Sequence, residues 1–302
     1  MKFRRMVACL ALVLTACGTG AQERGDHITI GLALSTLDNP FFAEMREGAE
    51  QAAAELGVSL VVVNADNDVN IQFGQVRSLV VEGARAIVIN PVDSRKAKET
   101  ADVANAGLVP LVSVDRSIYD GRVVSEVASD NVQGGALAAI ELGRAANGDV
   151  VHLTGTPGSS VTHDRGFGFE QGLNSGGITI VAKRAANFSR ARAFEVMTEL
   201  LNTNNNITGV FADNDEMALG AIKALGARAG KDVQVVGFDG TPEAVRALEA
   251  GVLTATIAQQ PELLGRNAVE QAVKAARRQQ IRQVVDVPVQ VLKKGSVAGH
   301  PR

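Results

Sequence analysis

Four polar residues stand at matching places in two stretches of the chain. Asn90 ends an apolar run (AIVIN) and Asp115 ends the next (LVSVD), while Asn214 closes VFADN and Asp239 closes VVGFD. In both stretches the Asp follows its Asn by 25 residues. Arg116 adjoins Asp115, and the pair has two readings. It is either a solvated ion pair worth about 0–1 kcal/mol or a charged donor and a charged acceptor aimed at neutral hydroxyls. A hydroxyl both donates and accepts, so Asp and Asn together with Arg complement it. Arg165, in HDRGFGF, adds a second guanidinium unless it simply faces solvent. Phe188, in AANFSR, follows an apolar run in a loop, where packing between domains is its other explanation.

The segment Ser35–Phe42 reads STLDNPFF. Pro40 suits the first turn of a helix and Asp38 or Asn39 suits its cap. All of this can be capping, with both Phe residues in the core. Phe41 fits that reading least, because the helical pattern already buries Phe42, and a second ring at the helix start offers a surface for a ligand face. Enzymatic signals are thin. His27, His152, His163 and His300 show no metal-ligand spacing, and no GxSxG elbow occurs. Gly155–Ser160 resembles a phosphate loop only loosely, with no Gly-Lys-Ser/Thr after it. Asn64, Asp66, Asp68 and Asn70 have the alternate spacing of a calcium loop but lack its sixth-position Gly, and Gln75 stands where the bidentate Glu belongs.

These residues need elements that hold them. Apolar runs at Ile28–Leu34, Leu60–Val63, Ala86–Ile89, Leu108–Val114, Val150–Leu153, Ile178–Val181, Gly209–Phe211 and Val233–Val236 read as strands covered on both faces. Between them lie helical patterns, among them Phe41–Leu56, Asn214–Ala227, Gly240–Ala250 and Pro261–Ala276. Alternating β and α at short period predicts an α/β protein of two doubly wound parallel-sheet lobes. In open α/β sheets a ligand lies beyond the carboxyl ends of the strands. Asn90, Asp115, Asn214 and Asp239 all sit there, so two facing lobes would bring them to one cleft.

The 302 residues carry a formal net charge of −3, and the chain without Lys2, Arg4 and Arg5 is more acidic still, a poor match to nucleic acid. Met1–Arg5 is basic and Met6–Ala16 is apolar. Eleven residues at 1.5 Å each fall well short of a ~30 Å bilayer core, so this is an export leader and not a span. Leu14-Thr15-Ala16-Cys17 reads as a lipobox, with Cys17 the lipidated residue; plain secretion with cleavage near Ala16 or Ala21 is the alternative. Both Cys residues, Cys9 and Cys17, belong to this leader, so the body has no disulfide and no thiolate metal site.

With these segments in order, from about His27 to about Val291, the chain resembles the sugar-binding proteins that serve ABC transporters, within the type I periplasmic binding protein family. It resembles the ribose-binding members in STLDNPFF, LVVVNADN, VINPVDS, SVDRS, ASDNVQGG, RGFGF, FADNDEMALG, VVGFDGTP and ATIAQQP. The resemblance implies a ligand-binding set of Ser35, Asn39, Phe41, Phe42, Asn90, Asp115 and Arg116 from one lobe and Arg165, Phe188, Asn214, Phe238 and Asp239 from the other. Gln259 lies near a crossing between them. Phe rings would sandwich a sugar ring while polar groups take its hydroxyls, and every position holds a residue type suited to ribose. The Trp face and calcium loop of galactose-type relatives are absent. Asp38 before Asn39, His163 near Arg165 and the lipobox are departures.

The resemblance also implies a three-strand hinge, crossed near Ser129-Asp130, Gln259-Gln260 and Val289. The expected division is a signal peptide at 1–16, a tether at 17–26, a first lobe of 27–129 plus 260–289, and a second of 130–259 plus 290–302. It implies no catalysis, cofactor or metal, and a monomer outside the cytoplasm, tethered through Cys17. The implied partners are a monosaccharide, a membrane permease and a chemoreceptor. Allose, xylose-like sugars and polyols are the alternative ligands. The sensor core of a lactose-repressor-type regulator shares this fold, but a leader stands where its helix-turn-helix would lie. A sugar-modifying or nucleotide-dependent enzyme would need a base, metal or phosphate loop. Cys17→Ser should release the protein from the membrane fraction, as read by immunoblot of fractionated cells; continued anchoring would overturn the lipobox reading.

Overall fold

A computed structural model describes residues 28–173, 177–204 and 206–296. The leader, the tether and Cys17 lie outside these residues. The first half of the chain runs β1 (Thr29–Leu34), α1 (Pro40–Leu56), β2 (Ser59–Asn64), α2 (Val69–Val81), β3 (Ala86–Ile89), α3 (Ala97–Ala106), β4 (Leu111–Val114) and β5 (Ser125–Ser129). The second runs α4 (Asn131–Ala145), β6 (Gly148–Thr154), α5 (Ser160–Gly172), β7 (Ile178–Ala185), α6 (Arg190–Thr203), β8 (Ile207–Ala212), α7 (Asp215–Leu225), β9 (Gln234–Asp239), α8 (Pro242–Ala250) and β10 (Ala255–Ala258). Helix α9 (Pro261–Ala276) and strands β11 (Val284–Val287) and β12 (Gln290–Leu292) finish it.

The strands form two six-stranded sheets in the orders β11-β5-β4-β3-β1-β2 and β12-β10-β9-β8-β6-β7. The two orders are the same plan. β3 and β4 of the first sheet correspond to β8 and β9 of the second, so Asn90 matches Asn214 and Asp115 matches Asp239. Every pairing is parallel except β10 with β12, which is antiparallel. That edge departs from an all-parallel expectation, because the chain enters β12 directly from β11 with no crossover helix. The chain passes between the sheets three times, at 129–131, 258–261 and 287–290.

Local chemistry sets the element ends. Asn39, Asp68, Ser189, Asn214 and Thr241 each cap a helix by accepting backbone N–H bonds, and Pro40, Pro242 and Pro261 fill first turns. The calcium-like run serves the same purpose, since Asp68 caps α2 and Asn64 closes a turn with Asp66. The run Leu108–Val114 becomes a strand only from Leu111. Leu108 is 89% exposed at φ 57°, and Pro110 donates nothing to a ladder. Four strands lack a continuous apolar run: β5 alternates buried and half-buried residues, Thr256 interrupts β10, Asp286 interrupts β11, and β12 is three residues long.

Each lobe is braced by helices that touch backbone to backbone. α1 and α9 meet at Gly48 and Gly265, where a methyl would overlap the Glu262 and Met45 carbonyls. α4 and α5 meet at Gly135 and Gly168, against the carbonyls of Arg165 and Val132. Gly265→Ala should therefore overpack and cost about 1–3 kcal/mol, more than the roughly 1 kcal/mol that Ala offers over Gly in a helix. Urea unfolding should show a lower midpoint with an unchanged slope.

Candidate functional site

The carboxyl ends of both sheets face each other across a narrow cavity of about 20 Å³. Its wall is Asn39, Phe41, Phe42, Asp115 and Arg116 from the first lobe, Val161, Arg165, Phe188, Asn214 and Asp239 from the second, and Gln259 at a crossing. That volume is far below the roughly 300–1,000 Å³ of sites for drug-sized molecules and about the room of one water molecule, so the lobes stand closed on each other.

The aromatic wall comes from α1 and from the loop after β7. Phe41 and Phe42 are both nearly fully buried and meet edge to face at 5.2 Å. Asn39 combines both roles open to it in the sequence, capping α1 through Phe41 N–H at 3.0 Å and lining the cavity. Phe188 stands at φ 57°, a left-handed conformation that costs a bulky residue energy. Its ring lies over Gly155, where any side chain would collide with it. The Arg116 guanidinium bridges the lobes, 5.4 Å from the Phe42 ring and 5.5 Å from the Phe188 ring.

The polar wall is a balanced set of charges. Arg116 lies 3.6 Å from Asp115, and Arg165 lies 3.6 Å from Asp239. All four are buried, which rules out a solvated Asp115–Arg116 pair and a solvent-facing Arg165. Burial pushes the Asp115 carboxyl above the usual carboxylate range, against the pull of Arg116, Arg165 and Asn90. Burial likewise lowers the Arg116 guanidinium, with Asp115 opposing. Asp239 is raised well above its ordinary value, first by burial and then by Asp215, with Arg165 pulling it down. Two acids and two guanidiniums leave the wall without net charge.

Four wall atoms find no hydrogen-bond partner among the described residues: Asp115 Oδ1, Gln259 Oε1, Arg116 Nε and Asn214 Nδ2. Two accept and two donate. Their companion atoms are tied down. Asp115 Oδ2 accepts from Asn90 Nδ2 at 3.0 Å, Arg116 Nη1 donates to the Pro91 carbonyl at 3.0 Å, Asn214 Oδ1 caps α7, and Gln259 Nε2 donates to Asp239 at 2.8 Å.

Ser35, Asn90 and Phe238 stand one layer behind the wall. Ser35 Oγ donates to Asn90 Oδ1 at 2.5 Å, which orients Asn90 toward Asp115. Phe238 lies under the Arg165 guanidinium at 3.8 Å. Val161 joins the wall with no signal in the sequence, because a Val in a first helical turn carries no chemical mark. Equally silent in the sequence is a set of serine contacts at the cleft mouth. Ser94 N–H donates to the Gly158 carbonyl at 3.0 Å, Ser160 N–H to Ser94 Oγ at 2.9 Å, and Ser117 N–H to Ser160 Oγ at 3.0 Å.

Two facing α/β lobes, three chain crossings and a neutral polar cavity between them define a two-lobed solute-binding protein. Residues 30–280 match the periplasmic binding protein domain, and the chain belongs to that family. It is 41% identical over 269 residues to the ribose import binding protein of Bacillus subtilis (strain 168), covering 88% of this chain and 87% of that one. It superposes with a TM-score of 0.85 on an ABC transporter periplasmic solute-binding protein from Actinobacillus succinogenes 130z with bound D-allose, at 31% identity over 90% of this chain and 100% of that one. The Caulobacter myo-inositol binding protein bound to myo-inositol gives a TM-score of 0.85 at 33% identity, over 92% and 97% of the two chains. The family is one of transport components rather than enzymes. Among the described residues no helix is long and apolar enough to cross a membrane.

Proposed function

We propose that the chain captures D-ribose in the interlobe cavity, outside the cytoplasm, and delivers it unaltered to the permease of an ABC importer. The observation that carries this reading is the set of four unpartnered wall atoms, two acceptors and two donors, beside Phe41, Phe42 and Phe188. A sugar presents hydroxyls that donate and accept at its edge and C–H groups on its faces, so one neutral ring can answer both kinds of wall. The balanced charges favour a neutral ligand over an ion. Kinship with the ribose import binding proteins supports ribose; the allose and inositol of the solved relatives make another monosaccharide or a polyol the second reading.

The ligand bridges both lobes and favours closure only through its stronger contact with the closed form. The first lobe would comprise 27–129 and 260–289 and the second 130–259 and 290–302, a monomer tethered through Cys17. The permease, and a chemoreceptor, would read the closed pair of lobe surfaces.

In a thermal-shift panel, ribose at 100 times its dissociation constant should stabilise the fold by about 2.7 kcal/mol. Glucose and galactose should shift it far less. If no pentose moves the transition, the ribose assignment falls. Asp115→Ala or Arg116→Ala should each remove a charged hydrogen bond worth about 1.5–3 kcal/mol and weaken binding at least tenfold, with circular dichroism unchanged. Unchanged affinity by calorimetry in either variant would mean that the ligand lies elsewhere.

A further inference from the structure

Behind the second lobe's share of the wall lies a buried polar pair that touches no part of the cavity. His152, on β6, and Asp213, between β8 and α7, are both fully buried, with His152 Nε2 2.6 Å from Asp213 Oδ1. The His152 ring stacks on Phe211 at 4.9 Å and lies 5.4 Å from Phe169. Its Nδ1 has no hydrogen-bond partner among the described residues. A carboxylate oxygen can only accept, so His152 Nε2 is the donor of the bond to Asp213.

Asp213 is where three wall residues converge. Its Oδ2 accepts from Gly155 N–H at 2.8 Å, and Gly155 is the floor under the Phe188 ring. Its main-chain carbonyl accepts from Arg165 Nη1 at 2.6 Å, while Arg165 Nε is held by Asn131 at 2.8 Å. The next residue is Asn214, which lines the cavity and whose Nδ2 has no hydrogen-bond partner among the described residues. Gly166, beside Arg165, packs against the His152 ring. A rotation of the Asp213 carboxylate would therefore release the Gly155 turn under Phe188, and a shift of the Asp213 main chain would carry Arg165 and Asn214 with it.

We propose that the His152–Asp213 pair is a positioning device that sets the strength and selectivity of ligand capture by the second lobe without touching the ligand. Asp213, taken out of water, needs donors on both oxygens, and His152 supplies the one that the backbone does not. The inference rests on the cavity being the sugar site. At metal sites, partners that orient the ligands from behind are worth about 10- to 100-fold in affinity, and the proposal expects the same order here.

The test is titration calorimetry of the full chain with ribose and with allose, beside the unfolding midpoint and the Gly155 amide proton resonance. His152→Phe keeps a ring of similar size and removes the donor. It should weaken ribose binding at least tenfold at one-to-one stoichiometry, change the ribose-to-allose preference, and move the Gly155 resonance. His152→Gln, whose amide can donate to Asp213, should recover most of the affinity. A purely structural role would lower the midpoint and leave the affinity of the folded fraction unchanged, which would overturn the proposal. An equal loss of affinity in His152→Gln would overturn it too. If His152→Phe does not fold, Asp213→Asn, which sets an amide among the donors, decides by the same criteria. A wild-type chain that binds neither sugar would remove the reading of the cavity and this proposal with it, whereas wild-type binding with unaffected variants removes this proposal alone.

Discussion

Burying opposite charges between two bodies that can part is the constraint on which the rest depends. Each lobe brings one Asp and one Arg to the cavity, held 3.6 Å apart. A buried ion pair repays its desolvation only when its remaining lone pairs and N–H groups are also satisfied. The protein completes half of them: Asn90, Pro91 and the cap of α7 each hold one atom of a wall residue. Each of the four unpartnered atoms costs roughly 1–3 kcal/mol in a closed cleft. Closure therefore favours a molecule that supplies two donors and two acceptors in fixed geometry and carries no charge of its own.

The fold keeps that geometry while allowing the lobes to separate. Helix pairs touching through Gly48, Gly265, Gly135 and Gly168 leave little room for sliding within a lobe. Relative motion falls to the three crossings and the cleft mouth. There the contacts among Ser94, Gly158, Ser160 and Ser117 are few and involve backbone groups that water can serve equally well. Such contacts can be exchanged on opening at small net cost, since an intramolecular hydrogen bond contributes only about 0.5–1.5 kcal/mol over its solvated alternative.

The two halves of the wall are supported in different ways. In the first lobe Ser35 orients Asn90, which orients Asp115, a chain of neutral donors ending at one charge. In the second, His152 and Gly155 fix Asp213, and Asp213 fixes the rest. The lobes share a strand order and a placement of Asn and Asp, yet they reached rigidity through different side chains. Similarity of plan thus constrains where the wall residues stand more tightly than how they are held.

Much of the protein was legible in its residues. Apolar runs and capping residues report local burial and local hydrogen bonding, so most strands and helices, the doubled plan and the strand-end positions of Asp115, Arg116, Asn214 and Asp239 followed from sequence alone. Strands β5, β10, β11 and β12 did not, because interruption by polar residues or a length of three residues leaves a weak signal. Nor did the division of Ser35, Asn90 and Phe238 into a second layer, the inclusion of Val161, or the joining of His152 to Asp213 across 61 residues. Which polar atoms end with partners and which end without them depends on distances between lobes that meet only after folding. Periodicity carries no record of those distances, and the tertiary structure alone decided them.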